Sequence, residues 1–376
     1  MESINIFSFF SGAGFLDLGF EKTGHYNVVY VNEFHKAFND IYRYARHLMH
    51  IPEPKYGHHV ESIINLLEPT QLKNIKKMIS ESKSQTITGI IGGPPCPDFS
   101  VAGKNKGKDG ENGKLSGTYT ALICNTKPDF FLFENVKGLY RTAKHREFFE
   151  SLKLQFIAAG YIMTEQLINA IEFGVPQNRE RIILIGVHKS ALKKLRIKAK
   201  RQSLDGFDWD KHKLYSKNIL YEQWPTTDPY GENCLLDCPN YIPQDLTVQY
   251  WWTQNEVDSH PNANMYFKPK AGLVKFQTIA EGDDKKKCYK RLHRWRFSPT
   301  AAYGNNEVHI HPYKPRRISV SEALAIQSLP KEFCLPQDVS LTDAFKTIGN
   351  GVPFLAAKGI AQTLFEYLNN SKYDSK

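Results

Sequence analysis

Hydrophobic and polar positions in the first half of the chain alternate between two textures. Short, near-continuous apolar runs occur at INIFSFF (4–10), YNVVYVNE (26–33), TGIIGG (88–93), FFLFENV (130–136), YIMTEQLINA (161–170) and RIILIGVH (181–188). Runs of this kind fit strands covered on both faces. Between them lie FLDLGFEKTG, HKAFNDIYRYARHLM, PTQLKNIKKMISESK and HREFFESLKLQFIAAG, which carry helical patterns. Two of these end in glycine, as helix C-termini often do. Strand–helix alternation predicts an α/β domain on a largely parallel sheet, with ligands bound beyond the carboxyl ends of the strands.

After His188 the periodicity is lost. Residues 189–217 are rich in Lys and Arg, and an irregular section with Pro, Asn, Trp and Tyr follows, including YIPQDLTVQYWWTQNEVDSHPN (241–262). This texture predicts a second, smaller, loop-rich domain. Regular patterns return at RRISVSEALAIQSLP (316–330) and at the helical VPFLAAKGIAQTLFEYLNN (352–370).

Composition narrows the class. A chain of 376 residues, 41% hydrophobic and 23% charged, matches a globular protein able to bury a core without disulfides. No apolar run approaches the roughly 20 residues of a membrane span, and the N-terminus lacks the basic and apolar regions of a signal peptide. A cytoplasmic protein with free thiols is therefore expected. Cys234 and Cys238 stand at metal-like spacing, but no second Cys/His pair follows at finger distance, so no metal is expected. The net charge of +10 suits either a solvated basic surface or an anionic partner such as nucleic acid.

Four blocks carry candidate chemistry. In FSFFSGAGFLDLGF (7–20) a strand runs through Ser-Gly-Ala-Gly into a helix, which allows close backbone approach to a ligand. No Lys-Ser/Thr follows, so it is not a P-loop. Glu33 ends the next strand, where a carboxylate can accept both ribose hydroxyls of a nucleoside. GGPPCPDFSVAG (92–103) sets Cys96 in a rigid, Pro-rich turn after a strand, a pattern unlike core packing. The polar stretch 104–117 that follows reads as a mobile lid. FENV (133–136) places Glu134 at another strand end, and a Cys and a Glu so placed can converge on one ring. In PQNRERIILIG (176–186), Arg179 and Arg181 fall on one side of an extended segment, and one of them could hold a carbonyl oxygen.

In this order the blocks resemble the DNA (cytosine-5) methyltransferases of bacterial restriction–modification systems. RRISVSEALAIQSLP and IGNGVP (348–353) resemble two further motifs of that family, so the likeness spans residues 7 to 353. It implies a Rossmann-like, S-adenosylmethionine-dependent catalytic domain at 1–188 plus 345–376. It also implies a small domain at 189–344, with target recognition at 189–315. Cys96 would attack carbon 6 of a cytosine flipped from double-stranded DNA. Glu134 would hold ring nitrogen 3, and Arg181 the exocyclic oxygen with Arg179 as neighbour. Phe10, Ser11, Gly12, Ala13, Gly14, Glu33, His59, Val60, Pro94, Asn350 and Val352 would form the cofactor pocket. The enzyme would be monomeric and use no metal.

Departures from the family pattern are Pro97, where Gln is commoner, and Asn112, where Arg is usual. HHVESI (58–63) aligns best with the adenine motif through His59 and Val60, and an alternative register uses Glu61. Residues 268–317 hold thirteen Lys/Arg against four Asp/Glu. CYKRLHRWRFSP (288–299), where cations interleave with aromatics, reads as a DNA-contacting run. Two rival readings are a tRNA cytosine methyltransferase and a non-enzymatic DNA-binding regulator on the same fold.

Overall fold

The computed structural model describes residues 3–95, 111–199, 203–269, 272–286, 288–301, 303 and 308–369, the side chains of 111 and 112 excepted. Seven strands form one sheet: β1 (Ile4–Phe9), β2 (Tyr26–Asn32), β3 (His58–His59), β4 (Thr88–Gly92), β5 (Phe130–Val136), β6 (Tyr161–Asn169) and β7 (Glu180–His188). Their order is β3-β2-β1-β4-β5-β7-β6. The chain leaves β1 in one direction through β2 and β3, then returns to the other side of β1 with β4. Between β1 and β4 lies the switch point, and in open α/β sheets ligands bind at the carboxyl edge of that point.

The sheet is mixed. β1 to β5 pair in parallel, whereas β7 runs antiparallel to both β5 and β6. Only ten residues separate β6 from β7, too few for the crossover that a parallel pair requires. The reversal brings the start of β7, not its end, to the edge where β5 finishes.

Helices cover both faces. One face packs against α1 (Phe15–Glu21) and α11 (Phe354–Asn369), through Leu16, Phe20, Ile360 and Leu364 among others. The opposite face takes α3 (Pro69–Gln85), α4 (Glu111–Thr126) and α5 (Ala143–Ala158). Thr142 caps α5 by accepting from His145 N, and Pro69 opens α3, where its missing N–H costs nothing. α2 (Lys36–Leu48) follows β2, and α6 (Lys189–Leu195) follows β7. Ala191, Leu192, Leu204 and Phe207, beyond the expected boundary at 188, join the sheet's core beside Val352 and Ala356.

The helix α4 corrects the reading of 104–117 as one polar lid, because its last seven residues are helical. Leu115, Tyr119, Leu122 and Ile123 stand at i, i+4, i+7 and i+8 and turn onto the sheet. Tyr119 donates to the Leu132 carbonyl at 2.8 Å.

A third apolar cluster joins α7 (Val248–Gln254), α9 (Val320–Ile326) and α10 (Leu341–Asn350) to Ala13, Phe15, Ile41 and Ala45 around α1 and α2. Ser319 and Glu322 form a reciprocal capping box at the start of α9. The short α8 (Leu273–Thr278) lies in the basic part of this region.

Candidate active site

Four strand ends meet at the switch point, and each carries a sequence-predicted block. After β1 the backbone turns through Phe10, Gly12 and Gly14, all at positive φ. Gly14 has no alternative: a Cβ there would lie 2.3 Å from Arg46 Nη1. Behind the turn, Asp17 accepts from Ser8 Oγ at 2.8 Å and Tyr42 Oη at 2.9 Å, and Arg46 pairs with Glu21 at 2.9 Å. This buried network makes the loop a fixed cradle.

Glu33, just past β2, reaches back to that cradle. One carboxylate oxygen accepts Gly12 N and the other His35 N, both at 2.8 Å. Burial pushes its carboxyl pKa up, while the two N–H donors pull it down. Each oxygen keeps a second lone pair for a ligand hydroxyl. Among the described residues, Ser11 Oγ and Thr347 Oγ1 are buried with no partner, and Thr347 is the side chain nearest to where a Gly12 Cβ would stand. Two orphaned hydroxyls around a glycine turn fit a polar ligand group at that point.

The other predicted cofactor residues divide. Phe10 lies edge-on to Tyr119 with centroids 5.9 Å apart. The His59 ring stacks on Tyr30 at 4.4 Å and donates from Nε2 to the Tyr56 carbonyl, so it faces the wall. Val60 beside it is 43% exposed. Ala13 and Val352 are packed in the cores, and Asn350 is exposed at the end of α10. Phe34, which the sequence alone did not single out, carries a ring that is 71% exposed directly after Glu33.

Glu134 and Arg181 come together because β7 is antiparallel. Arg181 stands opposite Val136 in the register, which places it diagonally across from Glu134 on one face. Arg181 Nε lies 2.9 Å from Glu134 Oε1, and both side chains are largely buried. Burial pushes the Glu134 carboxyl above the ordinary range, outweighing the pull of Arg181 and Arg179. The same burial lowers the pKa of Arg181. A Cβ on Gly93 would meet Glu134 Oε2 at 2.4 Å, so glycine lets the Pro-Cys block approach. Asn135 Nδ2 donates to the buried Pro94 carbonyl at 3.3 Å and ties that block down. Cys96, two residues on, lies outside the described residues, as does Pro97. Beside Arg181 opens a cleft of about 290 Å³ lined by Val136, Gly138, Asn178, Glu180 and Thr300 among others.

Arg179 is placed differently from its neighbour. It is 1% exposed, and its guanidinium donates to the carbonyls of Ala301 (3.0 Å), Gly349 (2.7 Å) and Gly351 (3.0 Å). Gln177 extends the brace by accepting Ala301 N at 3.0 Å and donating to Gln327. These bonds lock the start of β7 to the end of α10 and to the backbone at Ala301.

The basic–aromatic run requires a correction. Its central cations are internal. Arg291 donates to several backbone carbonyls, including Ile279 at 2.8 Å and His311 at 2.6 Å. Arg294 pairs with buried Glu281 at 2.8 Å, and His293 meets Asp228 at 2.9 Å. Arg291, His293 and Arg294 are thus part of the scaffold rather than a phosphate-facing row. Alternating charge and aromaticity describes a buried polar layer as well as a nucleic-acid face. Among the described residues no His/Cys/Asp/Glu group could hold a metal ion, and no helix is long and apolar enough to cross a membrane.

A family model described as C-5 cytosine-specific DNA methylase matches residues 4–366. The Type II methyltransferase M.NmeDI of Neisseria meningitidis serogroup C is 61% identical over 97% of this chain and 84% of its own length. M.BspRI of Lysinibacillus sphaericus, also a Type II methyltransferase, is 36% identical over 98% of this chain and 84% of its own. Among solved structures, a putative DNA modification methyltransferase encoded within an E. coli prophage superposes with a TM-score of 0.65 at 24% identity. It covers 98% of this chain and all of its own. Spodoptera frugiperda DNMT2 superposes at 0.54 with 16% identity, covering 97% of this chain and 99% of its own. At these identities the structures speak for the fold.

Proposed function

The chain belongs to the C-5 cytosine-specific DNA methylases, and from that premise we propose that it flips a cytosine out of duplex DNA and methylates carbon 5 through a covalent Cys96 adduct. The observation that carries this reading is the buried Glu134–Arg181 pair, next to the Gly93–Pro94 segment that leads into Cys96. A base inside a duplex hides carbon 5 from any protein group, so extrusion must precede chemistry. The cleft beside Arg181 is where the extruded base would enter.

Carbon 5 of cytosine is too weak a nucleophile by itself, and addition at carbon 6 corrects this. The Cys96 thiolate forms the S–C6 bond. The displaced π pair moves through carbon 4 towards nitrogen 3, which takes a proton from Glu134. A carboxyl whose pKa is raised by burial holds that proton more readily at neutral pH. Arg181 holds Glu134 in place and offers its guanidinium to the exocyclic oxygen. Once carbon 5 carries the methyl group, it loses its proton, the S–C6 bond breaks, and the thiolate returns.

S-adenosylmethionine, when bound, supplies the electrophilic methyl group. The residues present fit it: Glu33 for the ribose hydroxyls, Phe34 and Val60 for the purine faces, and the Ser11 and Thr347 hydroxyls with Gly12 for the polar amino-acid end. Residues 1–188 and 345–376 would form the catalytic domain, and 189–344 the domain that faces DNA. A monomer working in a bacterial cytosol, beside a restriction enzyme, completes the proposal.

Transfer of labelled methyl from S-adenosylmethionine to duplex DNA, with the methylated cytosines located by sequencing, tests the function. Glu134→Gln is expected to slow that transfer by about 10²–10⁴-fold with little change in DNA affinity. Transfer by Glu134→Gln at the wild-type rate would remove Glu134 from the proton step. Phe34→Ala should weaken cofactor binding by about tenfold, as loss of one stacking face costs roughly 1–1.5 kcal/mol. Calorimetric titration reads this directly, and an unchanged Kd would place the purine elsewhere.

A further inference from the structure

We propose that α8 lies against base edges flanking the target cytosine and that Gln277 is a specificity-determining residue. This rests on the reading of the chain as a DNA methyltransferase.

A helix of six residues is not stable alone, and α8 is held from behind. Phe276 is buried and meets Tyr289 edge-on at 5.9 Å. Arg291, wholly buried, donates to the carbonyls of Phe276 and Ile279 at the helix end, and to that of His311 across the domain. With Phe276 turned inward, the helical period puts Val274 and Thr278 on the opposite side and Gln277 on a flank, and Leu273 is open at the first turn. All four are exposed, Leu273 at 57% and Val274 at 69%. A rigid helix thus presents two aliphatic side chains and an amide to solvent.

The surrounding charge selects the occupant. Residues 268–290 carry seven lysines against three acids, and one of those acids, Glu281, is taken by Arg294. Lys275, Lys285 and Lys286 are exposed. A positive field of this kind draws a polyanion.

Distance is also compatible. The segment from Arg291, which anchors α8, to Thr300, which lines the cleft beside Arg181, is nine residues long. It spans roughly 30 Å at full extension, about nine base pairs at 3.4 Å each. That is an upper limit on their separation, so a duplex that delivers a cytosine to the cleft is long enough to reach α8. Glutamine suits adenine, accepting from N6 and donating to N7, and aliphatic side chains suit a thymine methyl.

The test is methylation of a randomised duplex library by wild type, Gln277→Ala, Leu273→Ala and Lys285→Ala, followed by sequencing of the products. Gln277→Ala should lose roughly 5- to 150-fold discrimination at one position near the methylated cytosine. Its Tm and the salt dependence of its DNA binding should stay at wild-type values. Leu273→Ala should relax the same or a neighbouring position. Lys285→Ala should weaken all sequences alike and flatten the salt dependence. Unchanged preference in both α8 variants, or uniform weakening by Gln277→Ala, would overturn the assignment while leaving the enzyme's function intact. If wild type methylates no member of the library, the functional reading itself fails and takes this inference with it.

Discussion

Cys96→Ser is expected to lower methyl transfer on the order of 10⁶-fold, to background, while DNA and S-adenosylmethionine still bind. A serine hydroxyl remains protonated at neutral pH and is a far poorer nucleophile than a thiolate. The covalent step can be read separately on DNA carrying 5-fluorocytosine at the target. After methyl transfer, release requires loss of the substituent at carbon 5 as a cation, which fluorine cannot provide. Wild-type protein should therefore run on a denaturing gel as a denaturation-resistant complex with labelled DNA, only with the methyl donor present. Cys96→Ser should give no such band. Absence of the band with wild type, where normal DNA is methylated, would end the covalent mechanism, and a band from the serine variant would move the nucleophile elsewhere.

The second large effect is on stability. Arg179→Ala removes one guanidinium and strands the buried carbonyls of Ala301 and Gly349 and the half-buried one of Gly351. Unpaired buried acceptors and lost charge-assisted bonds of this kind cost about 3–5 kcal/mol together. The urea midpoint should fall accordingly with an unchanged m value. Arg179→Lys should recover little, since a point charge on a flexible stem cannot reproduce a planar fork. A variant that unfolds at the wild-type midpoint yet loses turnover would place Arg179 in the chemistry instead.

Much of the candidate site could be read from the chain because its blocks sit at strand ends, and strand ends are visible as the close of apolar runs. Glu33 and Glu134 could be placed at the sheet edge in this way. Phe34 was not singled out, because an exposed aromatic looks in sequence like any other apolar residue. Alternation also predicted a largely parallel sheet. The reversal of β7 was written only in the ten-residue spacing after β6, and it is what brings Arg181 to Glu134. The distinction between Arg179 and Arg181 was out of reach: a period of two puts both on one side, and only the arrival of α10 and the Ala301 loop decides which one is enclosed. The same holds for Arg291 and Arg294, whose partners are backbone carbonyls and an acid from distant segments.

The packing of α11 against α1 bears on how the protein is made. Tyr26 donates its hydroxyl to the Ala361 carbonyl, 335 residues later in the chain. At about 5–20 residues per second, a ribosome needs tens of seconds to bridge that interval. Until then the apolar side of α1 has no cover, and the cradle that begins it stands on an unfinished layer. Contacts so distant in sequence are slow to form. A chain released before α11 is made is therefore expected to leave the glycine cradle unsupported, however complete its other blocks.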